Sequence, residues 1–240
     1  MPVVKHKKLS LKRPTFKCDE EINKHNTLYP FKHLNKYFFL SLIGRSGSGK
    51  TSMLYSLLTN KNILKKSYNH IVLFMPQESI NSIDNDLFND LEESNVFNEL
   101  TPDDLYEVSD KIRDYSSEDE NTLLIIDDMG SYLKNKQTEQ ILKNLIWNKR
   151  HLKLSIIVLV QVYNSIPLGT RKSITDAIIF HKPSIKDIEN ISDELIEKKK
   201  HAEEIADFAF RKQYDWLYIH VETQTIYNND FEELQFINKK

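Results

Sequence analysis

A chain of 240 residues, 40% hydrophobic and 28% charged, can build one sizeable core, and a second full domain is not expected. Its longest apolar stretches, Phe38 to Leu40 with Leu42 and Ile43, and Ile156 to Val160, fall well short of the roughly 20 residues that cross a bilayer. No charged segment followed by an apolar run and a cleavage site opens the chain, so a soluble, non-secreted protein is expected. The single cysteine, Cys18, forms no intramolecular disulfide and fits a reducing compartment. Eight histidines without HExxH or paired Cys/His spacing give a zinc site no support.

The net charge of −2 conceals an uneven distribution. Residues 1–17 carry Lys5, Lys7, Lys8, Lys12, Arg13 and Lys17 without an acid. Residues 1–36 therefore read as a basic arm, either a phosphate contact or solvated surface, ahead of one domain over 37–240. Tyr37 to Ile43 predicts the first buried strand, and residues 52–58 place Met53, Leu54, Leu57 and Leu58 on one helical stripe. His70 to Met75 predicts a second strand. Residues 81–120 hold 14 acids against Lys111 and Arg113 and read as an acidic helical insertion or covering element. Within it Thr101 can cap a helix with Pro102 at its first position and Asp103 and Asp104 in its first turn.

Thr122 to Ile126, Leu154 to Val160 and Ala177 to Phe180 predict further strands, with a helix over 137–150 between the first two. These near-continuous apolar runs suit a parallel sheet covered on both faces. A helix from about Asp193 to Arg211 leads to Trp216 to Val221 and Thr225 to Tyr227, read as an antiparallel edge within the C-terminal strands of 213–240. Alternating strands and helices imply a three-layer α/β fold with a mainly parallel central sheet and its ligand at the carboxyl ends of the strands.

The chemistry concentrates at two strand ends. Gly44-Arg45-Ser46-Gly47-Ser48-Gly49-Lys50-Thr51 matches G-x-x-x-x-G-K-[ST] between a predicted strand and a predicted helix. Three of only five glycines lie there, where the backbone must wrap a phosphate with its N–H groups. Lys50 is assigned to the β- and γ-phosphates and the Thr51 hydroxyl to Mg²⁺. Leu123-Leu124-Ile125-Ile126-Asp127-Asp128 has the form of a Walker B strand. Asp127 would hold Mg²⁺, and Asp128 would orient or deprotonate the water that attacks the γ-phosphate. In the alternative reading, one Asp caps the turn at Gly130.

With these motifs, Asn148-Lys149-Arg150-His151, and Val160-Gln161-Val162-Tyr163 leading to Ile166-Pro167 and Arg171, the chain resembles the poxvirus-type genome-packaging ATPases of the FtsK and HerA superfamily. The resemblance runs from about Tyr37 to Leu195. It implies a RecA/FtsK-like P-loop NTPase that hydrolyses ATP with Mg²⁺ and translocates double-stranded DNA into a capsid. It further implies a homo-oligomeric ring with ATP between neighbouring subunits, a capsid or portal partner, and residence in the cytoplasm or virus factory of an infected host, or in the virion. By the same resemblance, Gln161 senses the γ-phosphate and Arg150 is the arginine finger on a neighbour's ATP; Arg171 is a second finger candidate. Two rival classes share the phosphate loop: a nucleoside or nucleotide kinase, and a non-motor NTPase switch that binds a protein partner.

Overall fold

The computed structural model describes residues 31, 34–81, 88, 91–180 and 183–236. The six cations of residues 1–17, with most of the basic arm, lie outside the described residues, as do 82–87 and 89–90 of the acidic segment.

Eight strands form one sheet in the order β3-β2-β4-β5-β1-β6-β7-β8. Their ranges are β1 Phe39–Ile43, β2 His70–Phe74, β3 Val96–Phe97, β4 Thr122–Asp127, β5 Leu154–Val160, β6 Asp176–Phe180, β7 Trp216–His220 and β8 Thr225–Asn228. The first six run parallel to one another; β7 pairs antiparallel with β6, and β8 with β7. Every residue of β1, β4, β5 and β6 is buried, which explains their lack of polar alternation: both faces are covered.

One face packs on α1 (Lys50–Thr59), whose Leu54, Leu57 and Leu58 meet Leu40, Leu42, Leu123, Ile125, Ile157 and Leu159. The other carries α3 (Pro102–Ser117), α4 (Lys136–Trp147), α6 (Ile185–Ile196) and α7 (Ala202–Ala209), packed on Phe39, Ile43, Leu124, Ile126, Ile156 and Val158. Two short helices, α2 (Gln77–Asn81) and α5 (Leu168–Arg171), lie in connections. The period-2 alternation of a strand thus divides one apolar sequence between two cores.

Local chemistry sets the helix ends. The Thr101 hydroxyl accepts from the Asp104 N–H at 3.1 Å, with Pro102 opening α3. Through Leu105, Val108 and Ile112, α3 covers the sheet ahead of β4. The helix predicted from about Asp193 to Arg211 is two helices, and the first begins earlier. The Ser184 hydroxyl caps α6 by accepting from the Asp187 N–H at 3.2 Å. Glu197 then turns left-handed at φ +54° and the Lys198 N–H reaches the Ser192 carbonyl at 2.9 Å, a helix-ending geometry usually signalled by glycine. A 3-10 turn, Lys199–His201, restarts the chain as α7. β3, two residues long, was too short to carry a periodic signal.

At the start of β6, Asp176 is fully buried. Its carboxylate accepts from Tyr218 Oη at 2.6 Å, from Thr175 Oγ1 at 2.7 Å, and is bonded to His220 Nδ1 at 2.8 Å. This cluster ties the parallel part of the sheet to its antiparallel edge. Asp176→Ala removes the acceptor of a buried hydroxyl and the partner of His220 Nδ1 from the core, so we expect a loss of roughly 3 kcal/mol in urea unfolding with an unchanged m-value. A loss below about 1 kcal/mol would show the cluster to be dispensable.

Candidate nucleotide site

The loop after β1 is shaped by its glycines for two different reasons. Gly47 and Gly49 take φ of +71° and +102°, which side chains resist. Gly44 is needed for space: a Cβ there would lie 2.6 Å from Ser48 Oγ and 2.8 Å from Phe180 Cβ. The Gly44 N–H donates to the Val160 carbonyl at 3.0 Å, so the loop starts in register with the end of β5. α1 begins at Lys50 with no side-chain cap and no acid in its first turn. Its first N–H groups and its dipole are therefore left for an anion.

Lys50 Nζ donates to the carbonyls of Gly44 at 2.6 Å and Arg45 at 3.1 Å, which hold the ammonium within the curl of the loop. Burial lowers its pKa, while Asp127 and Asp128 raise it. Asp127, at the end of β4, is 7% exposed. Burial pushes its carboxyl up to about 6, Lys50 pulls it down and Asp128 pushes it up again. A carboxylate whose desolvation outweighs the cation beside it is a position that a further cation would stabilise. Asp127 and the Thr51 hydroxyl are hard oxygen donors of the type Mg²⁺ accepts. Among the described residues no group of three or more His, Cys, Asp or Glu could hold a metal, so an ion here would share phosphate oxygens instead of filling a protein cage.

Register brings the third element in. Asp127 pairs with Leu159, and Ile43 with Val160, because β5 lies between β4 and β1. Gln161 consequently emerges between the phosphate loop and the acidic strand end. Its Nε2 donates to Asp128 Oδ1 at 3.1 Å. Asp128 is exposed and left-handed at φ +55°, a conformation that Asp tolerates better than most residues. Lys50, Asp127, Asp128 and Gln161 thus occupy one edge of the sheet.

A cleft of about 630 Å³ adjoins the loop, lined by Gly47 to Met53, Ser56, Phe180, Tyr214 and Trp216, within the size range of small-ligand sites. Sequence reasoning missed its aromatic side. Tyr214, 60% exposed with φ +70°, and Trp216 belong to the segment entering β7, far along the chain from the motif, and only the antiparallel pairing of β7 with β6 brings them to it.

The two arginine candidates are not brought into this site. Arg150 is exposed in the turn between α4 and β5, at the end of β5 opposite Gln161. Seven strand residues separate the two positions, roughly 20 Å or more, too far for Arg150 to serve its own chain's phosphates. Arg171 is engaged elsewhere. Its guanidinium donates to Glu194 through Nε at 3.0 Å and Nη2 at 2.9 Å, and to Asn164 Oδ1 at 2.7 Å. It also lies over the Tyr163 ring at 4.8 Å, so it fastens the loop after Gln161 to α6.

Known proteins resemble this chain in sequence and in fold. A model of the family described as "Poxvirus A32 protein" matches residues 28–231. Over 165 residues the chain is 33% identical to DNA packaging protein OPG160 of variola virus and of vaccinia virus (strain Western Reserve), and 32% identical to that of monkeypox virus. These alignments cover 64% of this chain and 56%, 56% and 51% of the relatives, so the chain spans about half the length of the curated relatives it matches. Among solved structures, the genome packaging NTPase B204 from Sulfolobus turreted icosahedral virus 2, in complex with ATP-gammaS, superposes with a TM-score of 0.61 at 20% identity, covering 85% of this chain and 100% of that one. The cytoplasmic domain of the Thermomonospora curvata type VII secretion ATPase EccC gives 0.53 at 10% identity, over 79% of this chain and 23% of that chain. Identities this low speak for the fold alone, which is the three-layer fold of the P-loop NTPases. The family match extends from ahead of β1 to beyond β8 and takes in the phosphate loop, the acidic strand end and Gln161: the chain belongs to the poxvirus A32 protein family.

Proposed function

We propose that this protein is an ATP-hydrolysing motor that packages double-stranded viral DNA into a capsid. The observation that carries the reading is the Asp128–Gln161 hydrogen bond beside the phosphate loop. It joins the two residues that this reading takes as base and polar sensor, at the edge where the loop would hold a triphosphate. The relatives' name, DNA packaging protein, supports DNA as the substrate to be moved.

In this reading the backbone N–H groups of Gly47 to Lys50 and the start of α1 bind the β-phosphate, and Lys50 exchanges its two loop carbonyls for β- and γ-phosphate oxygens. Thr51 and Asp127 would hold Mg²⁺, which when bound would neutralise charge on those phosphates. Asp128 orients the attacking water and accepts its proton, while Gln161 fixes the carboxylate and registers whether the γ-phosphate is present. Tyr214 and Trp216 offer their rings to the base. Arg150 acts on the nucleotide of a neighbouring subunit in a homo-oligomeric ring, since its own lies beyond reach. A capsid or portal protein would receive the DNA, in infected cells or in the virion.

Lys50→Ala should abolish nucleotide binding or nearly so, whereas Asp128→Asn should keep Mg·ATP binding and lose most turnover. Binding by titration calorimetry and phosphate release separate the two; parental affinity in Lys50→Ala would reject the loop assignment. ATPase rate measured with and without double-stranded DNA, alongside oligomer mass, tests the motor itself. A monomer whose slow hydrolysis ignores DNA would return the protein to the switch reading.

Arg150→Ala should fold and bind ATP normally while turnover falls by roughly 10³ to 10⁵. Mixed with Asp128→Asn subunits in rings verified by mass, it should recover activity at interfaces that join an intact Arg150 to an intact Asp128. Mixed rings without recovery, or normal turnover in Arg150→Ala alone, would remove the finger assignment.

A further inference from the structure

The opposite edge of the sheet carries a second feature, unrelated to the nucleotide. Lys36, just before β1, Lys61, Lys65, Lys66 and Ser67 from the turns after α1, and Asn121, just before β4, line a recess of about 330 Å³ together with Tyr68. Since β1 and β4 run parallel through β5, these residues lie at the strands' amino ends, whereas Gly44 and Asp127 lie at the carboxyl ends. The separation is the five- to six-residue length of those strands, roughly 16 to 20 Å.

The walls of the recess are fixed by backbone. Asn121 Nδ2 donates to the Ser67 carbonyl at 2.7 Å and its Oδ1 accepts from the Asn69 N–H at 2.8 Å. Ser155 Oγ donates to the Lys36 carbonyl at 3.0 Å. Lys66 is held left-handed at φ +58°, an uncommon backbone for a non-glycine residue. On this frame Lys61, Lys65 and Lys66 are exposed, and among the described residues none of the three is in an ion pair. Among the described residues no carboxylate lines the recess. The nearest acids in sequence are already engaged, Asp119 with Lys153 and Glu120 with His70. In a chain of net charge −2 with 14 acids in residues 81–120, these three ammonium groups, gathered beside Lys36, form a local concentration of positive charge that complements a polyanion.

We propose that this recess grips the phosphate backbone of double-stranded DNA. The proposal rests on the DNA-moving reading given above and adds to it the surface that does the holding. Ammonium groups on flexible stems suit such a grip, because they meet phosphate as point charges, without the bidentate fork that reads guanine, and so bind independently of sequence. Lys36 is also where the arm joins the domain; residues 1–17 carry six further cations without an acid, separated from Lys36 in sequence by the acidic run Asp19, Glu20 and Glu21.

The test is double-stranded DNA binding by the full chain over a range of salt. Lys61→Gln/Lys65→Gln/Lys66→Gln should flatten the slope of log K against log salt by about 2 to 3, near 0.9 for each phosphate no longer neutralised, and leave ATP hydrolysis without DNA unchanged. A control with equal charge loss elsewhere, Lys172→Gln/Lys199→Gln/Lys200→Gln, should keep the parental slope. A parental slope in the recess variant, or the same flattening in both variants, overturns the proposal. So does polyglutamate competing as well as DNA of equal charge, which would assign the recess to an acidic protein. If the parent chain itself binds no DNA, the motor reading falls along with the recess; if it binds and only the variant fails to change, the recess alone falls.

Discussion

Placing β5 between β1 and β4 sends three loops out of one sheet edge within two strand spacings, about 10 Å. Everything chemical in the molecule depends on that order. The ladder between Ile43 and Val160 and the ladder between Asp127 and Leu159 set loop, carboxylate and amide level to within a residue. A one-residue slip of β5 would turn Gln161 to the other face and separate it from Asp128. Burial of all seven β5 residues opposes such a slip, so the precision of the site derives from the core beneath it.

Two electrostatic environments follow from the parallel sheet. At the carboxyl edge, acids and Lys50 compete with desolvation, as the upward shift of Asp127 to about 6 shows. At the amino edge, lysines collect in solvent, where their mutual repulsion is weak and salt-dependent. In the proposed motor, nucleotide chemistry and polyanion contact would thereby be kept at opposite ends of the same strands.

The parts of this arrangement that were legible in the sequence are those encoded by contiguous residues. The phosphate loop, the acidic strand end and the apolar runs of β1, β2, β4, β5 and β6 are each carried by a short unbroken stretch, and the cap at Thr101 by an even shorter one. What was not legible needed the third dimension. The sequence motif gives no sign that Gly44 is required by the approach of Phe180, since the two lie far apart along the chain. Tyr214 and Trp216 reach the cleft through an antiparallel edge, and the lysine recess joins segments preceding β1, following α1 and preceding β4. The break between α6 and α7 was hidden because Glu197 adopts a backbone usually marked by glycine.

β5 also has a mechanical meaning. It is hydrogen-bonded along both sides, to β4 and to β1, and close-packed on both faces, so it has almost no slack. The turn holding Arg150 and the amide of Gln161 are the two ends of this strut, and their spacing is a fixed length. In the proposed ring, a subunit boundary pushing on one end displaces the other by the same amount. Nucleotide state would then pass from neighbour to neighbour as a rigid displacement, with a stiffness set by the backbone ladder, and volume-conserving substitutions inside the strand would leave the timing of the ring untouched.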